Sequence, residues 1–239
     1  MDLPNKVTVF DFETDSLNVT SQKEVTKEVN KKTIKELRWQ GSITQIGAVT
    51  FDLRNLEVDE GSELLLDVRP DYVDERDYIK NHYPTLLKHA EWQNKSVKDI
   101  VESFKKGMEP KEAWKIFMGY CKERSGGGML KKTIPGGQNI IKFDIPIVER
   151  YCKQFNTPYP FNVRIIYDLL LMTPWWFPFA AKPPSSFSMD NIHDHFKMPG
   201  SHTHNGLQDA KDECELIIRF LSMHKKLIKK VPVLNNGAQ

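Results

Sequence analysis

The stretch Val7-Thr8-Val9-Phe10-Asp11-Phe12-Glu13 is a run of β-branched and aromatic residues that closes on two acids. Its composition predicts a strand. Side chains alternate across a strand, so Asp11 and Glu13 share one face while Phe12 points to the other. Two carboxylates side by side at the end of an apolar strand repel each other and lose hydration, which favours a cation between them. An Asp-x-Glu pair is nonetheless generic, and a solvated strand end is the plain alternative.

Outward from this strand, Ile43–Phe51 and Leu64–Val68 read as two more strands. No long helical pattern separates the three, so they predict an antiparallel meander. Helical spacing follows. Lys111–Lys122 places Ala113, Ile116, Phe117 and Tyr120 on one side, and Ile145–Phe155 does the same with Ile147, Val148, Tyr151 and Cys152. A strand at Val163–Asp168, a short helix around Asn191 and a long helix from Leu207 to Lys229 complete the order. The long helix carries the stripe Leu207, Ala210, Cys214, Ile217, Leu221 and Ile228, and it ends in lysines that suit the helix dipole. Strands first and helices later predict an α/β fold with a mixed sheet. Three segments read as loop insertions: the lysine-rich 18–41, the glycine-rich 124–137, and 173–188 with its run Trp175-Trp176-Phe177. The expected organisation is one domain over 1–230 and a short tail, 231–239.

Hydrophobic residues at 39% and charged residues at 28% give the balance of a globular domain with one core. No apolar run is long enough to span a bilayer, and the first residues lack a secretory pattern, so an intracellular protein with no membrane association is expected. Cys121, Cys152 and Cys214 form no C-x-x-C pair and read as buried thiols, which excludes a disulfide scaffold or a zinc ribbon. A net charge of +2 permits a polyanionic partner without indicating one.

Two further segments bring acids. Asn139-Ile140-Ile141-Lys142-Phe143-Asp144 runs from the glycine-rich segment into a helix. Asp144 is there either the helix N-cap or a carboxylate projecting towards Asp11 and Glu13. In His204-Asn205-Gly206-Leu207-Gln208-Asp209, the aspartate sits in the first turn of the last helix and flanks its apolar stripe. His204 precedes that helix on a Gly/Ser/His segment, and an imidazole can take a proton from water near neutral pH. Glu213, one turn beyond Asp209 on the same helix face, could also approach a metal, but reads first as a surface carboxylate or one just outside a cation site. His193, His195, His202 and His204 can instead be read as zinc ligands, but then Asp11, Glu13 and Asp144 have no task.

In order and spacing, Asp11-Phe12-Glu13-Thr14, Asn139 through Asp144, and His204 through Asp209 resemble the three motifs of the DnaQ-like exonucleases, in their histidine-bearing DEDDh branch. Ile43–Val49 is similar to that family's second strand, Ser188-Met189-Asp190-Asn191-Ile192 to its short helix before the histidine, and Asp168 to a recurring supporting aspartate. The resemblance runs from about Val7 to Leu221. It implies a ribonuclease H-like fold, a mixed five-stranded sheet with helices on both faces. It also implies that Asp11, Glu13, Asp144 and Asp209 hold two divalent ions, Mg²⁺ or Mn²⁺, with His204 as general base. The implied reaction removes nucleoside 5′-monophosphates from the 3′ end of single-stranded nucleic acid. DNA is favoured, RNA is the alternative, and an idle exonuclease-fold scaffold is the remote one. Thr14, Leu17 and Asn139 would meet the terminal nucleotide, and a polymerase or other replication protein is a candidate partner. Oligomeric state is left open.

The motifs depart from the family pattern in three places. Asp15-Ser16-Leu17 stands where Thr-Gly-Leu is frequent, three residues rather than two separate Asn139 from Phe143, and Gln138 replaces a frequent histidine. The basic insertion follows the first motif, so Lys31, Lys32 and Arg38 are expected either to contact phosphate or to decorate a solvated hairpin. The aromatic run at 175–177 either fills a gap against the sheet or stacks on bases.

Overall fold

The computed structural model describes residues 5–29, 32–125, 131–177, 182–198 and 204–228. The expected tail 231–239, the segment Gly200–Thr203 and Lys31 lie outside the described residues.

β1 (Lys6–Thr14) is the middle of the sheet. It pairs antiparallel with β4 (Ile43–Asp52) along its whole length and parallel with the short β7 (Ile134–Gly137), which in turn pairs parallel with β8 (Tyr167–Asp168). The outer edge of β4 is shared end to end by β5 (Glu57–Val58) and β6 (Leu64–Asp67), both antiparallel, so the sheet is five strands wide. β2 (Gln22–Val29) and β3 (Lys32–Trp39) form a separate two-stranded ribbon. Seven helices accompany these strands among the described residues: α1 (Tyr78–Trp92), α2 (Val97–Lys105), α3 (Pro110–Glu123), α4 (Asp144–Phe155), α5 (Leu169–Trp176), α6 (Met189–Phe196) and α7 (Gly206–Ile228).

Strand alternation divides the core in two. Phe10, Phe12, Ile46 and Ala48 pack with Ala113 and Phe117 of α3 and Ile147 and Tyr151 of α4. Val7, Val9, Val49 and Phe51 pack on the other face with Ala210, Cys214, Ile217 and Phe220 of α7. Helices therefore cover both faces of a mixed sheet, and the fold is ribonuclease H-like α/β. The period-two rule also fixes the acids: Asp11 and Glu13 continue the Val7–Val9 row and face the α7 side. α1 and α2 carry a small core of their own, built on Tyr78, Leu86, Ala90, Ile100 and Phe104. No helix of the described residues is long and apolar enough to cross a membrane.

Several local expectations are corrected. The glycine-rich segment ends in a strand, not a loop. β7 is buried throughout and so shows no alternation, and Pro135-Gly136-Gly137 is a poor strand former that packing overrides. A Cβ on Gly136 would stand 3.1 Å from Val7 Cγ1 and 3.3 Å from Ile217 Cδ1, so a larger residue would press on the strand and the helix of the α7 half of the core. The strand expected over 163–168 shrinks to Tyr167–Asp168, because Asn162 Oδ1 accepts the N–H of Arg164 (2.8 Å) and of Ile165 (3.2 Å) in a turn. Within the insertion at 18–41, Gln22–Val29 and Lys32–Trp39 pair as a two-stranded ribbon. Its Arg38 is buried, donates to Glu75 at 2.8 and 2.9 Å and lies 4.1 Å from the Tyr72 ring centre, so it anchors the ribbon and is not offered to phosphate. The third insertion begins inside α5. Its aromatics split, Phe177 packing against Phe187 and Phe196 while Trp175 stands 81% exposed. In α3 the buried stripe runs through Trp114, and Ile116 faces solvent.

Candidate active site

β7 ends one residue past the rung that joins Gly136 to Val9, so β1 runs on without a neighbour on that side. A buried backbone donor there needs another acceptor. Phe12 N–H finds it in Asp144 Oδ1, 3.2 Å away. Asp144 is the first residue inside α4, whose N-cap is Phe143, so the capping alternative does not describe it. The turn that delivers it is held by Asp168, which accepts the N–H groups of Asn139 (3.0 Å) and Leu170 (2.9 Å) on Oδ1 and of Ile141 (3.2 Å) on Oδ2. Asn139 enters this turn at φ +57°, a region asparagine tolerates.

The opposite wall comes from α7. Gly47 is the register partner of Asp11, and a Cβ on it would lie 1.9 Å from the Gly206 carbonyl carbon. Only glycine lets the first turn of α7 touch the strand there. Gln45 Oε1 accepts Gly206 N–H at 2.7 Å, and Asn205 Oδ1 accepts Gln208 N–H at 3.2 Å. These contacts aim Asp209, 2% exposed, at the end of β1. Ligand-capable atoms of Glu13, His204 and Asp209 all lie within 4.8 Å of one another, the one such group of three or more among the described residues. Glu213, one turn on, is 4% exposed and belongs to the same buried wall, which corrects its reading as a surface acid. His193 stands 3.7 Å from Asp212, and His195 meets Phe177 edge-on, so neither joins His204 in a histidine centre.

Crowding shows in the proton affinities. Burial, then the charges of Asp11, Asp209 and Asp144, push the Glu13 carboxyl up to about 9. Burial, with Asp11 as the foremost charged neighbour, also raises Asp144 and Glu213 well above the ordinary carboxylate range. Acids gathered this way must either hold protons or share cations. Carboxylate oxygen donors suit hard divalent ions such as Mg²⁺ or Mn²⁺, so the residues present fit such a pair, with the His204 imidazole beside them.

His204 has φ +46°, and its ring stacks on Trp92 at the end of α1, centroids 3.5 Å apart and planes 17° off parallel. Together with Pro84, Lys88 and His89 of α1, Trp92 walls a cavity of about 310 Å³ that reaches Asp11, Glu13, Asp209 and Glu213. Thr14 and the 75% exposed Leu17 line it too, whereas Asn139 lines a separate shallow depression with Asp11 and Asp144. Beyond Glu13, His89 and His204 a second cleft of about 460 Å³ continues to Gln45, Gln93 and Lys95. The sequence reading missed α1 and the residues it contributes. What pins α1 is the unusual Asp15: its buried carboxylate accepts Tyr78 O–H at 2.8 Å and Ser42 N–H at 2.6 Å. His89 donates from Nε2 to Thr14 O at 3.0 Å, and His82 from Nδ1 to Asp15 O at 3.2 Å. The departure from the family's first motif therefore has a structural task.

Sheet order, helical cover and an acidic centre at the end of the middle strand define the fold of the DEDDh exonucleases. Solved structures agree. Cell-death related nuclease 4 (CRN-4) superposes with a TM-score of 0.61 at 14% identity over 92% of this chain and 64% of that one. The nuclease domain of 3′hExo, a DEDDh family member bound to rAMP, gives 0.56 at 14% identity over 92% of this chain and 93% of that one. E. coli exonuclease I in complex with a dT13 oligonucleotide gives 0.55 at 14% identity over 96% of this chain and 46% of that one. The chain thus spans less than two thirds of CRN-4 and less than half of exonuclease I. At such identity what is shared is the fold. No protein-family model and no curated protein matches the chain.

Proposed function

We propose that this chain is a divalent-cation-dependent 3′–5′ exonuclease that releases nucleoside 5′-monophosphates from single-stranded nucleic acid, DNA first. The observation that carries the reading is the meeting of Glu13, His204 and Asp209 within 4.8 Å at the end of β1, beside Asp11 and Asp144. Asp11, Glu13, Asp144 and Asp209 would hold two cations, Mg²⁺ or Mn²⁺. Such a pair, when bound, offsets the charge of the phosphodiester and makes water a better nucleophile near neutral pH. His204 receives the proton of the attacking water at a ring nitrogen and passes it to solvent through the cleft. Trp92 holds the plane of that ring. Leu17 and the backbone at Thr14 seat the terminal nucleotide, and Lys88 and Lys95 at the rim draw in phosphate.

A second reading, an exoribonuclease, takes its support from the rAMP bound to 3′hExo, a neighbour in fold. The contact made at the 2′ position separates the two. Incubation with 5′-labelled single-stranded DNA, RNA and duplex DNA, in Mg²⁺ and in EDTA, tests both. The expected result is a single-nucleotide ladder in Mg²⁺, absent in EDTA and absent for Asp11→Ala. Full activity in Asp11→Ala would remove the proposal.

A further inference from the structure

The four carboxylates and one histidine of the proposed centre do not exhaust its acids. Glu213 follows Asp209 by one turn of α7 and projects from the same face. It lines the 310 Å³ cavity with Asp11, Glu13 and Asp209, yet only 4% of it is exposed. Its carboxyl group faces the backbone at Gln138. Its Oε2 is buried without a hydrogen-bond partner. That oxygen lies against Gly137, where a Cβ would stand 3.2 Å from it and 2.3 Å from Ile140 Cγ2. A glycine at the end of β7 thus leaves room for a carboxylate to reach the acidic centre from behind.

A structural carboxylate in a protein interior has its oxygens satisfied by donors, because an unpaired buried charge is costly. Glu213 meets the opposite surroundings. The foremost charged neighbours of its carboxyl are Asp11, Asp144 and Asp209, all acids. Such a group either holds a proton or is stabilised by positive charge arriving in the cavity.

We infer that Glu213 is a fifth carboxylate of the cation site, acting on bound divalent ions from the α7 side and tightening their binding. The inference rests on the proposed cation centre and adds to it a residue outside the four-acid pattern. Its burial behind Asp11 and Asp209 suits a role at one remove, through water on the ion or through those two acids, and neutralising such a residue costs roughly 10- to 100-fold in metal affinity.

The test is a titration of the full chain with Mn²⁺, read by the loss of free-ion EPR signal and by calorimetry, in wild type and in Glu213→Gln. Glutamine is nearly isosteric and keeps a carbonyl oxygen, so it removes the charge and spares the packing. The expected result is at least tenfold weaker Mn²⁺ binding by the variant. In EDTA its melting temperature should equal or exceed that of wild type, because a carboxyl crowded by other acids has gone. Unchanged Mn²⁺ affinity would overturn the inference and leave Glu213 a buried carboxyl packed against the end of β7. Should Glu213→Gln not fold, Glu213→Asp decides by the same titration, its withdrawn carboxylate weakening binding if the inference holds and leaving it unchanged if not. Wild type that binds no Mn²⁺ would defeat the cation centre itself, an outcome distinct from a variant that binds as wild type does.

Discussion

Replacing Glu13 with glutamine should stabilise the cation-free protein, and the size of the effect follows from its surroundings. The Glu13 carboxyl is pushed up from 4.5 to about 9 by burial and by Asp11, Asp209 and Asp144. In the unfolded chain it ionises at its ordinary value, so between these limits the folded state binds the extra proton. Stability therefore falls as pH rises from about 4.5, and the loss is complete above about 9. At pH 7, keeping the carboxyl neutral costs roughly 3 kcal/mol, an upper value because its acidic neighbours share the same repulsion. A chain of this size gains about 2–4 °C in Tm per kcal/mol, so Glu13→Gln should melt up to about 10 °C above wild type in EDTA at pH 7. The gap should close near pH 4.5 and widen towards pH 9. Adding Ca²⁺ should reverse the order, since wild type gains a ligand for the cation that the variant lacks. Thermal melts from pH 5 to 9, with EDTA and with Ca²⁺, read all of this. A variant that melts below wild type in EDTA at pH 8, or a wild-type Tm that does not fall with pH, would refute the reasoning.

His204→Ala should lower kcat by about 10²- to 10⁴-fold while Mn²⁺ binding stays close to wild type; equal losses in both would make His204 a ligand and not a base. Trp92→Leu should shift the acid limb of the kcat–pH profile, whereas Trp92→Phe, which keeps a stacking ring, should restore it; identical profiles in all three proteins would show that the stack does not position the imidazole. Gly47→Ala forces a Cβ into the α7 backbone. It should destabilise by at least the roughly 1–3 kcal/mol typical of overpacking and weaken Mn²⁺ binding by lifting Asp209 from the strand. A wild-type melt with normal Mn²⁺ affinity would contradict the close approach.

Much of this arrangement was readable from local pattern. β1, β4 and α7 announce themselves by alternation or helical spacing over eight or more residues, and they carry Asp11, Glu13 and Asp209. What escaped did so for identifiable reasons. β7 is four residues of Ile-Pro-Gly-Gly whose strand state comes from Val7 and Val9 on one side and α7 on the other, a tertiary cause that propensity does not express. α1 contains Pro84 and an apolar face reduced to Tyr78, Leu86 and Ala90, so its periodicity is faint. α2 did carry a signal, the capping box of Ser96 and Asp99, which would have revealed the helical pair that brings His89 and Trp92 to the cleft. Arg38 shows the limit of reading charge as function, because only the fold reveals Glu75 waiting for it. Glu213 shows the converse, since spacing put it one turn from Asp209 while only packing shows that it is buried.

Diffraction from crystals of the full chain soaked in Mn²⁺, collected at the manganese absorption edge, tests the cation centre most directly. Two anomalous peaks about 4 Å apart, between the carboxylates of Asp11, Glu13, Asp144 and Asp209, are the result expected here. Fully occupied manganese elsewhere on the molecule, with this cleft devoid of anomalous signal, would contradict it.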